Sequence, residues 1–187
     1  AVWPLGRLPR FMARASLFKV PVLGALMRAT GQIPVERAGS RPEQGKNPLS
    51  AANTLIEKQS SVIVYPEGTL TRDPDLWPMR GKAGAVRLAL ESGIPLIPAA
   101  HWGSQRLMPR YGKKIKPFPR KTVEVMIGEP LDLSRFTGRP IDARLLNEAT
   151  DVLMQESARL LGERRGETPP PERWDPASHQ QSETGRF

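Results

Sequence analysis

The chain has 187 residues, enough for one substantial core, and its 28 lysines and arginines against 19 acidic residues leave a formal charge of +9 at pH 7. It has no cysteine, which excludes disulfides, thiolate zinc sites and a cysteine nucleophile, and no run approaches the roughly 18 apolar residues that cross a bilayer. The charge directs attention to anionic partners: nucleic acid, a phospholipid surface or a phosphorylated small molecule.

In chain order, the first element is "GRLPRFMARASLFKVPVLGALMRATG", which Pro9 and Pro21 divide into two short helix-like pieces. Its basic residues Arg7, Arg10, Arg14 and Lys19 interleave with Phe11, Phe18 and leucines. That mixture suits binding to anionic lipid and also suits helices packed into a core. "QIPVE" (32–36) reads as a short strand, and Leu49, Ala52, Leu55 and Ile56 fall at helical spacing. A strand over Val62–Tyr65 follows. A helix from about Lys82 to Glu91 carries Ala85, Leu88 and Ala89 on one face and ends at Gly93, a C-cap residue.

"IPLIPAA" (94–100) and "TVEVMIG" (122–128) are further strand candidates. From Ile141 to Leu161, apolar residues at helical spacing make the strongest amphipathic helix of the chain, and a helix of that kind packs a core. Strands separated by helices of about ten residues predict an α/β fold in one domain, with a central, mixed, partly parallel sheet flanked by helices. The domain is expected over residues 1–162. From Glu163 onward, Pro169-Pro170-Pro171 and "ASHQQSETGR" predict a flexible polar tail over 163–187.

The candidate chemistry centres on "SVIVYPEGTLTRD" (61–73), where a strand runs into Pro66-Glu67-Gly68-Thr69. In α/β sheets ligands bind outside the carboxyl ends of strands. Gly68 permits unusual dihedrals and close approach of a ligand to the main chain. Thr69 offers a hydroxyl, and exposed amides in such a turn form an anion-binding concavity. Glu67 repels phosphate, so it fits better as an acceptor from a sugar or glycerol hydroxyl, or as the anchor of an arginine. The tetrapeptide alone is equally compatible with a surface turn. Arg37, Arg72, Arg80 and Lys82 surround it, the last two at the start of a helix where free amides and the dipole favour phosphate.

Other motifs fail. "GSRPEQGKN" has one residue too many for a phosphate-binding Walker loop and ends on Asn47, and "RGKAG" has Leu76 where the first glycine belongs. Gly103-Ser104 lacks the nucleophile elbow. His101 and His179 are too isolated for a metal site; His101, at a strand end, suits a cleft or a structural contact. No recognisable nucleic-acid-binding motif accompanies the charge, and the aromatics form no stacking platform.

"GQIPVERAG", "VYPEGTLT", "GKAGAVRLA" and "IPLIPAA", in this order and spacing, resemble the glycerolipid acyltransferases over about residues 5 to 130. The resemblance implies a glycerol-3-phosphate acyltransferase-like fold. It implies transfer of a fatty acyl group from acyl-CoA or acyl carrier protein, as co-substrate, to lysophosphatidic acid, giving phosphatidic acid with no resident cofactor or metal. It implies that Arg37 meets the acceptor phosphate, that Glu67, Gly68 and Thr69 lie in the acceptor site, that Lys82 adds positive charge there, and that Pro98 belongs to the acyl-donor side. Leu70 stands where the family has arginine, with Arg72 two residues on as a substitute.

The family's catalytic His-x-x-x-x-Asp is missing: His101 is followed five places on by Arg106, and His179 by Thr184. In the family this motif precedes a segment like "GRLPRFMARASLF", so the chain is expected to begin just after its catalytic histidine and to be inactive alone. A non-catalytic lipid-phosphate binder, or an enzyme for another lysophospholipid, remains open at this point. The implied setting is peripheral, on an anionic surface at the inner face of a bacterial cell membrane.

Overall fold

The computed structural model describes residues 9–35, 61–112 and 114–182. The chain divides into two compact units, Ala1–Val64 and Tyr65–Phe187.

In the first unit, strand β1 (Pro9–Arg14) leads into a 3-10 helix at Ala15–Lys19, then helix α1 (Leu23–Ala29), β2 (Ile33–Val35) and β3 (Ser61–Ile63). β1 is central and pairs in parallel on both sides: Met12 opposite Ile33, and Arg10 opposite Val62. The first helix-like piece expected from the sequence is therefore a strand over Pro9–Arg14 and helical only over Ala15–Lys19. Pro9 opens it, at the position of a strand where a missing N–H is tolerated. The pairing is tied by side chains as well: Arg10 Nη1 donates to the Gly31 carbonyl at 2.7 Å, and the Phe11 N–H donates to Gln32 Oε1 at 2.6 Å. Beyond Pro21 the second piece is helical as expected, although Leu26 is 59% exposed. The helix expected over Leu49–Ile56 lies outside the described residues, as do Arg7 and Arg37.

The second unit opens with the Pro66–Thr69 turn and continues through α2 (Gly84–Ser92), β4 (Ala99–Trp102), α3 (Ser104–Leu107), β5 (Glu124–Ile127) and α4 (Ala143–Arg165). Short 3-10 helices lie at Ser134–Phe136 and Ala177–His179. β4 and β5 are antiparallel, with Ala99 opposite Ile127 and Trp102 opposite Glu124. The α/β class is as expected, but the described strands form two sheets, a parallel three-stranded one and an antiparallel pair, where one central mixed sheet was expected.

α4 explains the core. Asp142 caps its N-terminus by accepting from the Leu145 N–H at 2.8 Å, and Gly166 ends it in the left-handed conformation. Leu145, Leu146, Ala149, Leu153, Met154, Ala158, Leu160 and Leu161 are buried along one face, as the 3.6-residue period demands. Val86, Leu88 and Ala89 of α2 are also buried, and α2 packs on α4. Each fully buried aliphatic side chain of this kind contributes about 1.5–3 kcal/mol. Gly93 caps α2 at φ 68°, as expected. The helix continues through Arg165, beyond the boundary expected at residue 162, because Arg164 and Arg165 suit the negative end of the helix dipole. Among the described residues, no helix is long and apolar enough to cross a membrane.

Candidate acceptor site

The Pro-Glu-Gly-Thr turn is a built feature of the second unit. Gly68 takes φ 67°, a value that side chains disfavour, and its N–H donates to the Tyr65 carbonyl at 3.0 Å. A methyl group at Gly68 would stand 3.7–4.0 Å from Cδ, Cε and Nζ of Lys82. The lysine side chain therefore runs along the bare face of the glycine. The Lys82 N–H donates to the Pro66 carbonyl at 2.8 Å, which joins the loop before α2 to the turn after β3.

Glu67 is half-buried, and its Oε2 accepts from the Met79 N–H at 3.2 Å. Burial pushes its carboxyl from the ordinary 4.5 up to about 7, with hydrogen bonds from Met79 and Thr71 opposing the rise and the Asp73 charge assisting it. The objection that a carboxylate repels phosphate weakens accordingly, since near neutral pH much of this group is uncharged.

Glu67 and Lys82 line one cavity of about 270 Å³ with Met79, Arg80, Gly81 and Asn147. Its floor rests on α4. A Cβ on Gly81 would lie 2.6 Å from Met154 Sδ and 3.1 Å from Thr150 Cγ2, so any larger residue would have to displace the methionine. The remaining wall comes from a segment that its composition marked as tail. The Arg80 N–H donates to the Trp174 carbonyl at 3.2 Å, the Arg80 guanidinium lies 3.6 Å from Asp175, and Asp175 and Pro176 line the cavity. Trp174 stacks on His179 at 3.6 Å between ring centroids. Asn147 and Asp175 were missed from the sequence; a tryptophan in an otherwise polar stretch was the available signal.

Arg72 stands apart from this group. It is buried at 2% exposure, beside buried Asp73, and does not line the cavity. Pro98 is buried too: its carbonyl accepts from the Gly128 N–H at 2.9 Å, and its ring lies against Gly128. His101 is exposed, with Nδ1 3.1 Å from Ser104 Oγ and its ring edge-on to Tyr65.

Residues 1–102 match the family model described as Acyltransferase. A 1-acyl-sn-glycerol-3-phosphate acyltransferase of Bacillus subtilis is 31% identical over 148 residues, 78% of this chain and 67% of that protein. The chain belongs to the acyltransferase family. A chloroplastic acyltransferase of the same description from Brassica napus is 31% identical over 127 residues, 68% of this chain. The chain spans only 35% of the length of that relative and of a similarly described protein of Arabidopsis thaliana. Among solved structures, the Thermotoga maritima 1-acyl-sn-glycerophosphate acyltransferase PlsC superposes with a TM-score of 0.54 over 82% of this chain and 57% of that one. At 23% identity that likeness concerns the acyltransferase fold.

Proposed function

We propose that this chain carries the acceptor half of an acyltransferase site, binding lysophosphatidic acid for conversion to phosphatidic acid with acyl-CoA or acyl carrier protein as the donor. The observation that carries this reading is the pairing of Lys82 with the Gly68 turn in a cavity shared with a near-neutral carboxyl. Lys82 supplies positive charge for the phosphate. Arg80 stands on the same cavity, and the resemblance adds Arg37. Glu67 is suited to a glycerol hydroxyl: near pH 7 it can accept a hydrogen bond or donate one. Gly68 leaves room for the Lys82 side chain to lie along the turn, and Thr69 adds a hydroxyl to it. About 270 Å³ falls below the roughly 300–1,000 Å³ of drug-sized ligand sites, which fits a headgroup and leaves the acyl chain outside.

Arg72, being buried, supports the turn from inside in this reading. Pro98 shapes the backbone toward the donor side. Acyl transfer forms an ester bond from the acceptor hydroxyl and releases the donor thiol, and it needs a base for the hydroxyl proton. The 187 residues contain no His-x-x-x-x-Asp, so the roles assigned here are binding and orientation. The reaction is placed at an anionic membrane surface on the cytoplasmic side, where substrate and product reside, and needs no resident cofactor.

The test is binding. Lysophosphatidic acid below its aggregation concentration is compared with a monoacylglycerol of the same chain length. The phosphate-bearing lipid is expected to bind at least tenfold more tightly. Lys82→Ala should remove about tenfold or more of that preference, from the roughly 1.5–3 kcal/mol of a charge-assisted hydrogen bond. Equal binding of both lipids, insensitive to Lys82, would overturn the reading.

A further inference from the structure

Between Glu91 and Glu124 the chain has no acidic residue, while Arg106, Arg110, Lys114, Lys116, Arg120 and Lys121 all fall in that interval. Most of the excess positive charge of the molecule is concentrated there. Arg110 is used internally: its Nη1 donates to the Thr71 and Asp73 carbonyls at 2.8 and 2.7 Å, which fastens the base of the following loop. The Lys116 N–H donates to the Leu107 carbonyl at 2.7 Å and fastens it again. Residues 114–120 themselves are all exposed. At the tip, Phe118 is 81% exposed and Ile115 64% exposed. No ion pair among the described residues engages Lys114, Lys116, Arg120 or Lys121.

An exposed phenylalanine and isoleucine alternating with cations have no evident use in water. Phe118 also lies between Pro117 and Pro119, neither of which has an N–H to leave unsatisfied when the backbone enters an apolar medium. We infer that the loop 114–121 is a docking surface for an anionic phospholipid bilayer, with Phe118 and Ile115 entering the interface while the surrounding lysines and arginine meet lipid phosphates. Charge complementarity selects this occupant, because the loop offers only cations and apolar groups. None of residues 114–121 lines the acceptor cavity, and the inference does not depend on acyl transfer.

Because the chain has no cysteine, Phe118→Cys can be labelled at that single site with an environment-sensitive fluorophore. The full 187-residue chain is mixed with vesicles of phosphatidylcholine alone or with phosphatidylglycerol added. The label is expected to shift to the blue and brighten only with the anionic vesicles, while a label at exposed Arg139→Cys stays unchanged. In flotation, each neutralised cation should weaken vesicle binding about fivefold, so Lys116→Ala with Arg120→Ala together should cost about 25-fold. Ile115→Ser with Phe118→Ser should reduce binding with the charges intact. All these positions are exposed, and a urea midpoint matching the parent protein confirms an intact fold. Absence of anionic-vesicle binding would overturn the inference. So would vesicle binding without a response at position 118, which would assign docking to another surface. A response to RNA or heparin but not to vesicles would also overturn it, in favour of a different polyanion.

Discussion

Replacing Glu67 by glutamine isolates the burial of one carboxyl. The glutamine keeps an oxygen to accept from the Met79 N–H, 3.2 Å from Oε2 in the parent protein, but it cannot ionise. In the folded protein the carboxyl holds its proton up to about pH 7, against an ordinary value of 4.5. The folded state therefore binds more protons than the unfolded one between these limits, and stability must fall as pH rises through them. The stabilisation is fully present below about 4.5 and gone above about 7. A tenfold change in proton affinity corresponds to about 1.4 kcal/mol, so the full excursion is up to about 3 kcal/mol.

Urea unfolding from pH 4.5 to 8.5, followed by tryptophan fluorescence, measures this directly. Trp77, Trp102 and Trp174 all belong to the unit that contains Glu67. Subtracting the Glu67→Gln curve from the parent curve cancels the repulsion among all the other charges, which both proteins share. The difference should change by up to about 3 kcal/mol, falling between about pH 4.5 and 7 and level above about pH 8. Parallel curves would mean that Glu67 is hydrated and titrates as an ordinary carboxylate, and would remove the near-neutral group from the site.

Two further substitutions test the supports of the site. Gly68→Ala should cost about 1 kcal/mol in urea unfolding, from backbone strain at φ 67° alone, because the new methyl would meet Lys82 at ordinary contact distance. Arg165→Lys should cost about 1–3 kcal/mol by the same measurement. The guanidinium lies over Trp77 and Trp102 at 4.2 and 4.8 Å while donating to the Asp75 carbonyl, and an ammonium cannot reproduce that stacked, forked geometry.

The legible parts of the fold were those fixed by local chemistry. α2 and α4 follow from apolar residues three and four apart, and Gly93 and Gly166 end both helices in left-handed caps. The turn at Glu67 followed from a glycine and proline after a β-branched run, and Lys82 was rightly placed near it. β1 was not legible. "PRFMAR" carries no clear alternation, and it is a strand only because residues 33–35 and 61–63 supply partners on both sides. The burial of Arg72 was equally hidden, since a run of basic residues near a turn does not reveal which one points inward. The tail misled by its composition. A main-chain hydrogen bond from Arg80 to Trp174 fastens it together with ion pairs of Arg80 with Asp175 and of Arg173 with Asp151, and partners so far apart in the chain leave no mark in composition.

The contact between Gly81 and Met154 bears on how such a site changes over time. Met154 sits on α4 behind the cavity floor and is not among the residues that line it. Its flexible thioether is the part that faces the glycine, so substitutions at 154 raise or lower the floor by small increments while Glu67 and Lys82 keep their identities. Position 154 acts as a set screw behind the cavity. The shape of the cavity can drift through a residue that does not line it.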